Sequence, residues 1–185
     1  MKVYAATTGL VLGMLSCSGI AQANSPAPTT ALILSQSLEV QTSPATTSTQ
    51  FRTYLNDTYN FSVEVPQTLY SSAAPMVGKM GQRFISPSGD IEMAVYGQGQ
   101  GNWTLEQLYE NTLFVYQQQG AQITFSEMEG DQFVISAIAP EGAVLYTKKI
   151  FHEDNLLTLG LFYDASRQSA LTPMVDYISE SFQPM

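Results

Sequence analysis

Between Ala121 and Asp164 the chain turns three times at a spacing of about ten residues, and that spacing constrains the fold more than any other feature of the sequence. The turns are Glu129-Gly130-Asp131, Pro140-Glu141-Gly142 and Glu153-Asp154-Asn155. They separate runs rich in β-branched and aromatic residues: Ile123–Met128, Phe133–Ala139, Val144–Phe151 and Leu156–Tyr163. Connections this short join antiparallel neighbours, because a parallel pair needs a crossover of a dozen or more residues. The segment predicts an antiparallel meander.

The rest of the domain is read outward from that meander. Phe61-Ser62-Val63-Glu64-Val65 alternates apolar and polar residues and stops at Pro66, which cannot donate to a ladder, so it predicts a strand with a hard end. Gln82–Ser86 and Ile91–Tyr96 flank Pro87-Ser88-Gly89-Asp90 as a hairpin. Leu105, Leu108, Tyr109, Thr112, Leu113 and Tyr116 then recur at helical spacing, with Asn102 or Thr104 as cap and Gly120 as stop. A closing helix is expected to start with Thr172 as cap and Pro173 at the first helical position, turning Met174, Val175, Ile178 and Phe182 inward. The order is strands, helix, strands, helix. It predicts an α+β domain over residues 51–185, with helices packed on a mostly antiparallel sheet. A domain of about 135 residues buries roughly two thirds of its unfolded surface, enough for one core.

The run Tyr59-Asn60-Phe61-Ser62-Val63-Glu64-Val65-Pro66 resembles the aromatic-x-Phe-Ser-hydrophobic-x-hydrophobic-Pro opening of PsbP-like and DcrB-like domains. The order of elements after it, and the closing Ile178-Ser179-Glu180-Ser181-Phe182, are similar to theirs as well. The resemblance covers about residues 51–183. It implies an α/β/α sandwich and a small exported accessory protein, and it brings no catalytic constellation with it.

The N-terminus carries the marks of export. Lys2 supplies a positive region, Val3–Leu15 a mostly apolar one, and Ala21-Gln22-Ala23 a small-x-small cleavage pattern, so residues 1–23 are expected to be a signal peptide. The apolar stretch is shorter than the roughly 20 residues a membrane-spanning helix needs. Leu15-Ser16-Cys17-Ser18 resembles a lipobox, and acylation of Cys17 is the alternative to its loss with the signal. Residues 24–50 are rich in Ser, Thr, Pro and Gln with Glu39 as their one charge, which predicts a disordered tether. The expected location is the periplasm or the medium, with a membrane-anchored lipoprotein as the alternative.

Charge narrows the partners. The formal net charge is −9, and the cations Lys2, Arg52, Lys79, Arg83, Lys148, Lys149 and Arg167 are scattered. Nucleic-acid binding needs clustered cations that neutralise phosphates, and anionic membrane surfaces need the same. Neither class is expected.

Few residues offer chemistry. Gly97, Gly99 and Gly101 lead into the first helix, but they do not spell G-x-G-x-x-G and no Gly-Lys-Ser/Thr follows, so they predict a connecting surface loop and no phosphate cradle. Trp103, the single tryptophan, is either a core anchor or the exposed lip of a cleft. If the protein uses a pocket, this segment is expected to provide it, through Tyr96, Trp103 and the loop glycines. His152-Glu153-Asp154 and the trio Glu127, Glu129 and Asp131 hold ligand types for zinc or calcium, but consecutive turn residues diverge and one histidine makes no tetrahedral set. No metal, cofactor or catalytic residue is expected. The sequence supports an exported envelope accessory protein without catalytic activity, acting by contact with a protein partner. The alternative is a small periplasmic hydrolase, carboxylate-based or metal-dependent, in which Glu127, Asp131, His152 and Asp154 would converge.

Overall fold

The computed structural model describes residues 49–70 and 73–185. The expected signal peptide, Cys17 and nearly all of the expected tether lie outside these described residues. Two strands open the domain, β1 (Phe51–Asn56) and β2 (Phe61–Pro66), followed by a single helical turn, α1 (Gln67–Tyr70). The short β3 (Ala74–Pro75) precedes the hairpin of β4 (Gly81–Ile85) and β5 (Ile91–Gly99). Helix α2 (Leu105–Gln118) leads into the meander β6 (Gln122–Glu129), β7 (Gln132–Ile138), β8 (Ala143–His152) and β9 (Asn155–Asp164). Helix α3 (Gln168–Ser181) and a two-residue strand β10 (Gln183–Pro184) close it.

The larger sheet runs in the order β3-β4-β5-β9-β8-β7-β6, every neighbouring pair antiparallel. A second, small sheet has the order β1-β2-β10. Because side chains alternate along a strand, the large sheet has a core on each face, and β8 and β9 contribute to both. Met93, Val95, Val144, Leu157, Leu159 and Leu161 point to one face, where Phe61, Val63 and Val65 of β2 and Val175, Ile178 and Phe182 at the end of α3 bury them. On the other face Phe133, Ile135 and Leu156 pack under Leu105 and Leu108 of α2. The result is an α+β sandwich with helices on both sides of a mostly antiparallel sheet.

Helix α2 matches its sequence signals. Thr104 caps it in a reciprocal box with Gln107: the Gln107 amide donates to Thr104 Oγ1 at 3.2 Å and the Thr104 amide to Gln107 Oε1 at 3.1 Å. Gly120, at φ +77°, ends it in the left-handed conformation that glycine adopts without strain.

Helix α3 departs from expectation. It starts at Gln168, so Pro173 lies inside it and Thr172 does not cap it; the Thr172 hydroxyl instead donates to the Gln168 carbonyl at 2.8 Å. Buried Leu171 explains the extra turn, because it anchors residues 168–171 to the core ahead of the proline. A 3₁₀ turn at Ala165–Arg167, held by Asp164 Oδ1 accepting from the Ser166 amide at 2.8 Å, feeds the helix from β9.

Candidate functional site

The connection from β5 to α2 differs from the sequence expectation, and the difference reorganises the candidate site. The segment 97–103 is not a loop throughout. Strand β5 continues to Gly99, with Gly97 opposite Leu157 and Gly99 opposite Asn155. The Gly97 amide donates to the Met80 carbonyl at 2.9 Å, so it is not free for an anion. The physical reason lies above the sheet: the Tyr59 ring sits directly over Gly97, where a Cβ would collide with it. Tyr59 is held there by Asn56, a buried polar residue whose Oδ1 accepts from the amides of Thr58 at 3.1 Å and Tyr59 at 3.0 Å. Glycine is therefore required for close approach at position 97, while Gly101, at φ +63°, makes the actual turn.

This geometry separates Tyr96 from Gly97. Tyr96 points to the α2 side of the sheet and Gly97 to the opposite side. Trp103 stands past the turn, 48% exposed, at the N-terminal end of α2. It does not enter the core. Together with Asn102, Gln107, Glu110, Asn111 and Phe114 it lines a shallow hollow of about 530 Å³. Residues 107, 110, 111 and 114 recur at helical spacing on the flank away from buried Leu105, Leu108 and Thr112, so packing of the inner stripe forces the outer one into solvent, and Trp103 joins them from just ahead of the N-cap. Phe114 is 59% exposed there. Its signal in the sequence was its place: an aromatic that falls outside the inward stripe of an amphipathic helix.

On the other flank of α2 the helix leaves part of the sheet uncovered. The strand register sets up two rows across β5, β9 and β8: Tyr96–Thr158–Lys149, and Ala94–Gly160–Thr147. Ala94 and Gly160 are small, so the second row is low between taller neighbours. With Asn111, Val115 and Tyr116 of α2 as one wall, these residues line a groove of about 380 Å³. It continues over Ala94 and Gly160 toward Leu145 and Phe162 as a smaller hollow of about 190 Å³. At its far rim Arg83 Nη2 donates to Glu92 Oε2 at 2.6 Å. Asn111 lines both this groove and the Trp103 hollow.

The electrostatics of the groove centre on Lys149. Its Nζ lies 5.9 Å from the centroid of the Phe133 ring, and among the described residues it makes no ion pair. Burial lowers its pKa, with no neighbouring charge to offset the effect. Tyr116 donates to or accepts from Thr147 Oγ1 at 2.6 Å, and burial pushes its phenol up although that hydrogen bond acts the other way. Thr158 Oγ1, directly across from Lys149, is the one buried side-chain polar atom without a hydrogen-bond partner among the described residues. Neither Lys149 nor Thr158 stands out in the sequence, because each lies inside an ordinary strand pattern.

The acidic residues do not assemble. Glu127, Glu129, Asp131, Glu153 and Asp154 are exposed and His152 half-buried around the turns of the meander, and no group of three or more possible metal ligands forms among the described residues. The convergence that the hydrolase alternative requires is therefore not seen among them.

No protein-family model matches the sequence, and no curated protein does. Solved structures do match. The solution structure of cyanobacterial PsbP (CyanoP) from Synechocystis sp. PCC 6803 superposes with a TM-score of 0.59 at 12% identity, covering 79% of this chain and 99% of that one. The fold is PsbP-like. The crystal structure of the Ran-binding protein Mog1p of Saccharomyces cerevisiae matches with a TM-score of 0.53 at 10% identity, over 74% of this chain and 96% of that one. At these identities the likeness is one of backbone architecture and does not extend to the residues of the two hollows.

Proposed function

We propose that the protein is an exported accessory protein of the bacterial envelope, without catalytic activity of its own, which acts by docking the outer flank of α2 on a partner protein. The observation that carries this proposal is the exposed pair Trp103 and Phe114 on one helix flank. Trp103 just ahead of the N-cap and Phe114 on the helix are large aromatics, the residue types enriched where interfaces bury their centre. Gln107, Glu110 and Asn111 between them give the polar contacts of a rim. The fitting partner surface has apolar pockets for an indole and a phenyl ring, with a donor for Glu110. Another protein of this fold, yeast Mog1p, is described as Ran-binding, which supports a role in contact with other proteins.

Capture from intact envelope tests the proposal. The wild-type protein should retain a partner that Trp103→Ala and Phe114→Ala lose. Both variants should melt within a few degrees of wild type, since surface changes cost about 0.5 kcal/mol or less. Equal capture by wild type and by a variant carrying both substitutions would overturn the docking role of this flank. The location belongs to the same proposal: residues 1–23 are removed on export and 24–50 tether the domain. N-terminal sequencing should begin at Asn24, and an acylated Cys17 at the start would replace the soluble form with a lipid-anchored one. No helix among the described residues is long and apolar enough to cross a membrane.

A further inference from the structure

At β6, the free edge of the larger sheet, we infer a docking site for an extended segment of another protein that carries lysine or arginine at alternate positions and adds to the sheet as one more antiparallel strand. The two ends of the sheet are built differently. At one end β3 is only two residues long, and one of them is Pro75, which has no N–H to offer. At the other end β6 runs for eight residues without a proline and is exposed along nearly its whole length. Among the described residues it pairs with β7 alone.

Hydrogen bonds on the far side of β7 decide which backbone groups of β6 are free. The Asp131 carbonyl accepts from the Phe151 amide at 2.7 Å, and the Ala139 amide donates to the Ala143 carbonyl at 2.8 Å. Backbone direction alternates along a strand, so between these two points odd-numbered residues turn to β8 and even-numbered ones to β6. Gln132, Val134 and Ser136 therefore bond to Glu129, Glu127 and Phe125, which stand opposite them. The N–H and C=O groups of Ser126 and Met128, in between, point out of the sheet and meet no other strand. That is the template an added strand uses, with main-chain bonds giving affinity and alternate side chains giving specificity.

The side chains set the chemistry of the partner. Phe125, Glu127 and Glu129 share one face of the sheet, the face on which α3 packs. Ion pairs among the described residues join Arg83 to Glu92 and Arg167 to Asp90, so neither glutamate has a cation of the protein's own. Opposite charges placed directly across two strands attract, and like charges repel. An antiparallel segment reading Lys-Val-Lys-Thr-Phe sets its lysines against Glu129 and Glu127 and its phenyl ring against Phe125. A second copy of this chain is a poor occupant, because its own β6 brings two more carboxylates to the same edge of a chain whose net charge is −9. The site lies on a different element from Trp103 and Phe114 and does not rest on their role.

Amide hydrogen exchange of the isotope-labelled protein, with and without the capped peptide Thr-Lys-Val-Lys-Thr-Phe-Thr, tests the site. In the free protein the Ser126 and Met128 amides should exchange about tenfold or more faster than the Glu127 amide between them, and saturating peptide should remove that difference. Reversing both charges, with Glu127→Lys and Glu129→Lys, should weaken the peptide about tenfold. A peptide with glutamates in place of its lysines should recover the loss on that variant. Trp103→Ala and Phe114→Ala should take up the peptide like wild type, which separates this edge from the α2 flank. A peptide of the same composition with its lysines adjacent, the control for simple attraction of cations, should protect neither outward amide. Equal protection by that control would overturn the inference. So would outward amides that the alternating peptide leaves unprotected, or that a second copy already protects in the free protein.

Discussion

Gly97 and Gly99 are two residues apart on the same strand, yet they answer differently to an added methyl group. A Cβ at 97 would run into the Tyr59 ring, whereas at 99 it meets nothing within 4 Å. Gly97→Ala should therefore destabilise the domain by about 1–3 kcal/mol, the usual cost of overpacking, while Gly99→Ala should be close to neutral. Chemical denaturation of the two variants checks this, and equal effects would contradict the ring-over-glycine contact. The alternation of glycine with glutamine looked like a flexible loop because sequence shows a missing side chain but not what occupies its space. The occupant here comes from β1–β2, almost forty positions earlier, and is set in place by Asn56, whose polar side chain gives no outward sign of being buried. Lys149 and Thr158 were hidden for a related reason. Their surroundings come from the facing strands and from α2, not from their own neighbours in the sequence.

At the scale of elements, local signals were dependable where one element carries its own boundary chemistry. Helix α2 has an apolar stripe, a capping box and a glycine stop, and all three lie where the sequence places them. Thr104→Ala should cost about 1 kcal/mol by freeing amides of the first turn, and should lower the melting temperature by a few degrees. A double variant with Gln107→Ala should cost little more, because the two side chains form one reciprocal unit. The four meander strands were equally plain, since their turns and alternation agree. Helix α3 was misplaced because Thr-Pro is a local start signal, and it lost to the tertiary burial of Leu171. Strands β1 and β10 carried no readable pattern. Phe51–Asn56 mixes exposed Arg52, Thr53 and Leu55 without alternation, and Gln183–Pro184 is too short to show a period. Both are strands only because β2 offers them a partner.

For the whole molecule, stability at alkaline pH is a contest between two sets of buried groups. Burial lowers the pKa of Lys148 and Lys149 below the ordinary lysine value of 10.5, so between the lowered values and 10.5 the unfolded chain binds more protons and folding gains as pH rises. Burial raises Tyr116, Tyr146 and Tyr163 above 10.0, so the folded chain keeps protons that the unfolded one has released, and stability falls as pH climbs past 10. Lys149→Met should thus be more stable than wild type near neutral pH, with the gap in melting temperature closing as pH approaches 10.5. A gap that does not change with pH would show that Lys149 ionises like an exposed lysine. The small sheet has a different consequence, one of timing. The Glu64 amide donates to Ser181 Oγ, a hydrogen bond spanning 117 positions, and β10 pairs with β2 just beyond it. At synthesis rates of about 5–20 residues per second, β2 emerges from the ribosome roughly 6–24 s before the segment that completes its core. During that interval Phe61, Val63 and Val65, which have no exposed surface in the folded protein, lack their final packing partners, and whatever escorts the growing chain must shield them.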